Sequence, residues 1–226
     1  MTAAAIILAA GRGTRMGTAG PDKLFADLAG RPVLAWTLLA FERAREIERI
    51  IVPTRPDCLD QVLAVAHAAG IAKPLEAVLG GERRQDSVAA GLTVLARSVD
   101  VVSVHDGARP LVHPDEIDAG VRLARQHEAV VLAAPVVDTI KRVGPDGRIL
   151  GTPPRAELVL ALTPQTFRVD LLRRAHAASS DDATDDAALV ERLGEPVRVC
   201  AGSRRNIKIT TPEDLVVAEA LLRAGP

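Results

Sequence analysis

The sequence predicts an α/β fold: a Rossmann-like, doubly wound, mostly parallel sheet covered by helices, in one domain over residues 1–226 with a protruding β-hairpin arm at about 138–160. Three observations carry this expectation. Short, continuously apolar runs end in glycine or other turn residues, as strands buried on both faces do. Segments with apolar residues at helical spacing lie between those runs, and the alternation persists along most of the chain. Hydrophobic residues make up 48% of the 226 but aromatics only 2%, so Ala, Val, Leu and Ile must fill the interior, which suits helices packed on a sheet.

The first strand is "AAAIILAA", residues 3–10. A helix follows in "PVLAWTLLAFERA" from Pro32 and a second strand in "RIIVPT" from Arg49, which completes a β, α, β opening. The alternation continues with a helix through "CLDQVLAVAHAAG" stopped by Gly70, a strand near "LEAVLGG" and a helix containing "SVAAGLTVL". Next come a strand in "DVVSVHDGA", a helix in "DEIDAGVRLARQHE" and a strand in "AVVLAAPV". From Asp138 the rhythm breaks: "DTIKRVGPDGRIL" sets a Pro-Asp-Gly turn between two short alternating segments, which is a hairpin signal. Such an excursion either covers the site or reaches to another subunit. Helix and strand resume through "VDLLRRAHAA", "AALVERLG" and "PVRVCAG", and "NIKIT" leads into a closing helix. Thr211 suits its cap, Pro212 its first turn, and Glu213 and Asp214 its positive end. "SSDDATDD", residues 179–186, reads as an exposed acidic loop.

A net charge of −1 gives no long-range attraction to nucleic acid or to an anionic membrane, so neither is an expected partner and any anion site is local. One tryptophan, three phenylalanines and no tyrosine leave little for a base-stacking platform. Cys58 and Cys200 form no CxxC pair and fit reduced thiols of a cytoplasmic protein. The apolar N-terminal run lacks a basic flank and is interrupted too early for a secretory signal or a membrane span. HExxH, GxSxG and zinc-like spacings do not occur.

Chemistry concentrates in three strand-to-helix turns. "ILAAGRGTRMG", residues 7–17, places glycines and arginines directly behind the first strand, with Lys23 beyond. It supplies no GxxxxGK, and Met16 occupies the third glycine position of a dinucleotide fingerprint. "VPTRPD" stands where that fingerprint needs an acidic residue; an NADP site with Arg55 on the extra phosphate stays open as an alternative. A nucleoside triphosphate explains the cations better, because displacement at phosphorus builds charge that Arg15 and Lys23, more than Arg12, are set to neutralise. In "VSVHDGARP", residues 102–110, Asp106 and Arg109 emerge at the carboxyl edge of the sheet while His105 reads as structural. Asp106 suits either a magnesium ion shared with phosphate oxygens or a helix cap. "GGERRQDSV", residues 80–88, offers glycines, a carboxylate and Ser87 for sugar or base hydrogen bonds, or as ordinary caps.

Together "LAAGRGTRMG", "VHDGARP", "LTPQTF" and "NIKITTPEDL" resemble the 2-C-methyl-D-erythritol 4-phosphate cytidylyltransferase family of the non-mevalonate isoprenoid pathway, nearly end to end and in the family's order. The resemblance implies in-line attack on the α-phosphorus of CTP by the substrate phosphate, giving 4-diphosphocytidyl-2-C-methyl-D-erythritol and pyrophosphate, with Mg2+. It implies that Arg15 and Lys23 stabilise the transition state, while Arg155 and Lys208 position the attacking phosphate. CTP would meet Ala9, Ala10 and Gly11, then Gly81, Glu82 and Ser87, then Asp106 and Gly107; the acceptor would meet Asp106, Arg109, Thr139 and Thr163, and Asp106 would also bind the metal. The family is a homodimer with crossing arms, so Thr139 and Arg155 would serve the partner's site. The chain departs from the family's usual pattern where Lys23 follows Pro21-Asp22 rather than proline directly, where Val159 replaces a common aromatic, and in the "GTPPR" approach to Arg155. A ribitol 5-phosphate cytidylyltransferase or a molybdopterin nucleotidyltransferase on the same fold is the neighbouring alternative, and an NADP-dependent oxidoreductase a more distant one.

Overall fold

A computed structural model describes residues 2–11, 22–178 and 181–225. The first half runs β1 (Thr2–Leu8), a small hairpin of β2 (Asp27–Leu28) and β3 (Arg31–Pro32), α1 (Val33–Arg43), β4 (Ile47–Thr54), α2 (Leu59–Ala68), β5 (Leu75–Leu79) and α3 (Arg84–Thr93). The second half runs β6 (Val99–Asp106), α4 (Pro114–His127), β7 (Ala129–Pro135), β8 (Arg142–Val143), β9 (Ile149–Gly151), β10 (Val159–Arg168), α5 (Val169–Ala178), α6 (Asp186–Arg192), β11 (Arg198–Ala201) and α7 (Pro212–Arg223).

The main sheet has seven strands in the order β11-β7-β10-β6-β1-β4-β5. Every neighbouring pair is parallel except those of β10, which runs antiparallel to β6 and β7. The expected mostly parallel α/β sheet is therefore present, with one strand that periodicity alone did not indicate. "LTPQTF" carries Pro164, and proline argues against an interior strand because it cannot donate to a ladder. Here Pro164 falls in the irregular stretch between Ala161 and Gln165, where the pairing with β7 shifts register.

Period-2 alternation on β1 splits the core into two layers. Ala3, Ala5 and Ile7 pack with Leu34, Phe41, Val62 and Ile117 of α1, α2 and α4. Ala4 and Ile6 face the other way, onto Val88, Leu92, Leu171 and Val190 of α3, α5 and α6. Small alanines let both helical layers approach the sheet closely. Phe41 and Phe167 are fully buried, one in each layer, and such side chains each contribute about 1.5–3 kcal/mol through burial. Gly70, at φ +72°, ends α2 as expected and donates to the His67 carbonyl at 3.0 Å.

From β1 the chain winds outward through β4 and β5, then returns to β6 on the other side of β1. The carboxyl ends of β1 and β6 consequently lie side by side at the reversal, where open α/β sheets form a crevice. Leu8 pairs with Asp106, and the Gly107 N–H donates to the Leu8 carbonyl at 3.0 Å. A Cβ on Gly107 would lie 2.8 Å from that carbonyl oxygen, too close for any residue but glycine. Gly107→Ala is expected to lower stability by about 1–3 kcal/mol, read from the midpoint of urea unfolding.

The hairpin of β8 and β9 forms a separate two-stranded sheet. Its Pro-Asp-Gly turn closes with Gly147 at φ +80° donating to the Gly144 carbonyl at 3.0 Å. Both strands of the hairpin fall within the segment 138–160, and Val159 and Leu160 open β10. Val143, Ile149 and Leu150 on the hairpin are exposed, as are Val137, Ile140, Val159 and Leu160 beside it.

Candidate active site

Three turns meet over the reversal: one after β1, one after β5 and one after β6. They enclose a cleft of about 200 Å³ that Lys23 and Lys208 also line. Of the expected residues, Ala10, Gly11, Gly81, Glu82, Ser87, Asp106 and Gly107 lie on its wall together with the two lysines. Leu8, Leu24, Arg84 and Ala108 complete it.

Backbone hydrogen bonding holds the turns in place. The Ala9 N–H donates to the Pro53 carbonyl at 2.8 Å and its own carbonyl accepts from the Thr54 hydroxyl at 3.3 Å, so Ala9 is buried and Ala10 faces the cleft. Thr54 also accepts the Gly80 N–H at 2.8 Å, which ties the first turn to the second through the end of β4. The Ser87 hydroxyl accepts the Gly81 N–H at 3.1 Å and lies 3.3 Å from the carbonyls of Gly81 and Arg83. It is therefore engaged in shaping the glycine turn as well as lining the cleft.

The electrostatic centre is Asp106. Its Oδ2 lies 2.8 Å from Lys208 Nζ and 3.5 Å from Arg109 Nε, and its Oδ1 lies 3.7 Å from Arg84 Nε. Burial pushes the carboxyl up, but the Lys208 ammonium and then the Arg84 and Arg109 guanidiniums outweigh it and hold the group well below the usual carboxylate range. Asp106 is thus an ionised carboxylate at neutral pH, held in cationic surroundings. Burial lowers the pKa of Arg109, against the pull of Asp106.

Arg84 was not singled out from the sequence, and a chain of buried polar groups positions it. Its Nη1 donates to Asp186 Oδ2 at 2.6 Å, and Asp186 Oδ1 lies 3.1 Å from His176 Nε2. Among the described residues, Arg84 Nη2 is buried without a hydrogen-bond partner. This corrects the expectation of an exposed acidic loop at 179–186: Asp181 and Asp182 are exposed, but Asp186 is fully buried at the start of α6. Burial raises the pKa of Asp186, and the His176 and Arg84 bonds more than reverse that, keeping it low. Gln165 of β10 secures the same corner, its Oε1 accepting the N–H groups of Asp186 and Ala187 at 3.1 Å each.

Beneath Asp106 runs a second chain. The Asp106 N–H donates to Thr163 Oγ1 at 3.1 Å, Thr163 Oγ1 lies 3.0 Å from His105 Nδ1, and His105 Nε2 lies 3.1 Å from the Arg109 carbonyl. A carbonyl only accepts, so Nε2 carries the hydrogen and the Thr163 hydroxyl donates to Nδ1. Asn206 joins the cluster: its side-chain amide donates to the Thr163 carbonyl at 2.7 Å, and its own carbonyl accepts from Arg109 Nη1 at 2.8 Å. Thr163 and His105 therefore support the Asp106–Arg109 turn from below, and the structural reading of His105 stands.

Burial pushes the His105 pKa from 6.5 down to about 4. Between these values the unfolded chain takes up a proton that the folded chain refuses. The resulting stability is complete above pH 6.5 and is lost as the pH falls toward 4. The loss should reach roughly 3 kcal/mol, seen as a falling urea midpoint, and a His105→Gln variant should lack that slope. The lowered carboxylates Asp106 and Asp186 act at lower pH, below the unfolded value of 3.8.

The remaining expected residues are distributed as follows. Arg15, like Arg12, lies outside the described residues. Thr139 is exposed near the foot of the hairpin, and Arg155 donates through Nη1 to the Val137 carbonyl at the root of the arm; neither lines the cleft. The alternative of Arg55 on an NADP phosphate is overturned. Its Nη1 pairs with Asp22 at 2.7 Å, its Nε with Asp57 at 3.3 Å, and its Nη2 reaches Cys58 Sγ at 2.8 Å. Among the described residues no group of three or more His, Cys, Asp or Glu side chains could hold a metal ion, and no helix is long and apolar enough to cross a membrane. Cys58 and Cys200 are buried and unpaired with each other.

Residues 3–224 match the family described as 2-C-methyl-D-erythritol 4-phosphate cytidylyltransferase. A protein of that name from Pelotomaculum thermopropionicum is 48% identical over 225 residues, spanning 98% of this chain and 94% of the relative. The crystal structure of 4-diphosphocytidyl-2C-methyl-D-erythritol synthase from Anaerococcus prevotii superposes with a TM-score of 0.87 at 32% identity, covering 98% of each chain. The crystal structure of 2-C-methyl-D-erythritol 4-phosphate cytidylyltransferase from Thermus thermophilus superposes with a TM-score of 0.77 at 35% identity, covering 99% of this chain and 100% of the other.

Proposed function

The chain belongs to the 2-C-methyl-D-erythritol 4-phosphate cytidylyltransferase family, and from that membership we propose that the Asp106 cleft is where it transfers CMP from CTP to 2-C-methyl-D-erythritol 4-phosphate, releasing pyrophosphate. The observation that carries this reading is one cleft at the carboxyl edge of the sheet that Lys23 lines together with Arg84, Lys208 and the ionised Asp106 they flank.

The reaction brings two anions together, so its main obstacle is charge. The attacking atom is a phosphate oxygen and needs no general base. Attack in line on the α-phosphorus places extra negative charge on the equatorial oxygens, and side-chain cations held in advance stabilise that charge without reorganising. Lys23 and Arg15 serve the triphosphate in this scheme. Lys208 and Arg109, both tethered to Asp106, face the acceptor's phosphate. The glycine turns at Gly11, Gly81 and Gly107 admit the nucleotide to the backbone.

A magnesium ion fits the donor set. Magnesium is commonly held by one or two carboxylates plus substrate phosphates, and Asp106 Oδ1, which lies 3.7 Å from Arg84 Nε, is the oxygen suited to it. Bound there, the ion would supply further positive charge to the phosphate oxygens. The exposed apolar residues of the hairpin support a homodimer in which Thr139 and Arg155 complete the partner's cleft. Two buried thiols outside any disulfide support a cytoplasmic enzyme.

Pyrophosphate release measured across nucleotides and acceptors tests the reading. CTP with 2-C-methyl-D-erythritol 4-phosphate is expected to turn over. Preference for GTP, or turnover with ribitol 5-phosphate in its place, would overturn it.

A further inference from the structure

Arg55 has no part in the chemistry above, yet it is among the most fully engaged side chains near the cleft. Besides the bonds to Asp22, Asp57 and Cys58, its Nη1 lies 3.4 Å from the Gly11 carbonyl. Asp22 is equally committed. One carboxylate oxygen takes Arg55, the other accepts the Leu24 N–H at 3.1 Å, and its carbonyl accepts the N–H groups of Phe25 at 2.8 Å and Ala26 at 3.1 Å. Asp22 therefore opens the turn that carries Lys23, and Arg55 grips that turn and Gly11 at once.

The pair is shielded, with side chains 17% and 14% exposed, so salt screens it weakly. Its anchor is rigid as well. Arg55 directly follows Thr54 at the end of β4, the residue already bonded to Ala9 and Gly80.

We propose that the Arg55–Asp22 ion pair is a positioning device for the reaction, holding Lys23 and Gly11 against the cleft so that the ammonium meets the triphosphate already oriented. The proposal rests on the reading of the cleft given above. A lysine side chain has large rotamer freedom, and a fixed backbone at its root reduces what must be ordered when CTP arrives. Arg55 and Asp22 touch no reacting atom in this scheme; they act through Lys23.

The test is a double-mutant cycle on the full chain. Arg55→Ala is expected to lower kcat about tenfold while leaving KM for 2-C-methyl-D-erythritol 4-phosphate within about twofold, whereas in a Lys23→Ala background the same change should cost less than about twofold. Asp22→Asn keeps the shape and an oxygen for the Leu24 N–H, removes the charge, and should follow Arg55→Ala in direction. Multiplicative losses in the double variant, or near wild-type kcat in both single variants, would overturn the device. Calorimetric titration of CTP with magnesium reads the same coupling without the acceptor. Coupling seen there beside no pyrophosphate release from the wild type would refute the assigned reaction and leave the device standing; absence of coupling there would refute the device.

Discussion

Lys23→Ala will lower kcat about a hundred- to a thousandfold, a loss of about 3–4 kcal/mol of transition-state stabilisation, in the range seen when one preorganised donor is removed. Lys23 lines the same cleft as Asp106, and when its charge is needed decides which kinetic constant moves. A cation that met the triphosphate equally in ground and transition states would change KM alone. Removing Lys23 should weaken CTP binding too, but the charge on the equatorial oxygens grows during in-line attack, so the larger part of its effect should fall on kcat. Lys23→Arg should recover only part of the rate, because a planar guanidinium replaces a compact ammonium on a turn fixed by Asp22. Pyrophosphate release under saturating CTP is the measurement. A Lys23→Ala enzyme with near wild-type kcat would remove the lysine from the chemistry.

How far the sequence discloses this molecule depends on the range of the interaction concerned. β1, β4, β6 and β7 were legible because each is a short apolar run closed by a turn residue, a local pattern with a local cause. β10 was not, since Pro164 argues against a strand and only the register shift against β7 shows how the sheet accommodates it. The glycine turns of the site were legible for the same local reason, and they do converge. Arg84 was hidden inside "GGERRQDSV" because its role comes from Asp106 and from Asp186, which lies 102 residues away in sequence. Asp186 looked like one more carboxylate in a polar stretch, and its burial follows from partners that no local pattern reveals. Asn206 sits two residues before Lys208, and only its contacts with Thr163 and Arg109 give it a task.

Asp106→Asn should show the largest effect on stability, and its dependence on pH identifies the cause. The substitution removes the one negative charge shared by Lys208, Arg109 and the Nε of Arg84, leaving cations packed against each other beneath the cleft. Losing one partner from a buried ionic cluster typically costs about 3–5 kcal/mol, well beyond the value of the pair itself, because the remaining charges stay desolvated. Lys208 is 37% exposed and Asp186 still compensates Arg84, so the lower end of that range is expected. The carboxyl's pKa is depressed in the folded state, so its stabilisation is present above the unfolded value of 3.8 and is lost as the pH falls through the lower folded value. The wild-type and Asp106→Asn urea midpoints should therefore differ most at neutral pH and converge below pH 3.8. A gap of the same size at pH 7 and pH 2.5 would show that the loss comes from altered packing, and the electrostatic account of the cleft would fail. Activity should fall with the neutral-pH stability, since the same carboxylate anchors Lys208 and Arg109 and is the one proposed to bind magnesium.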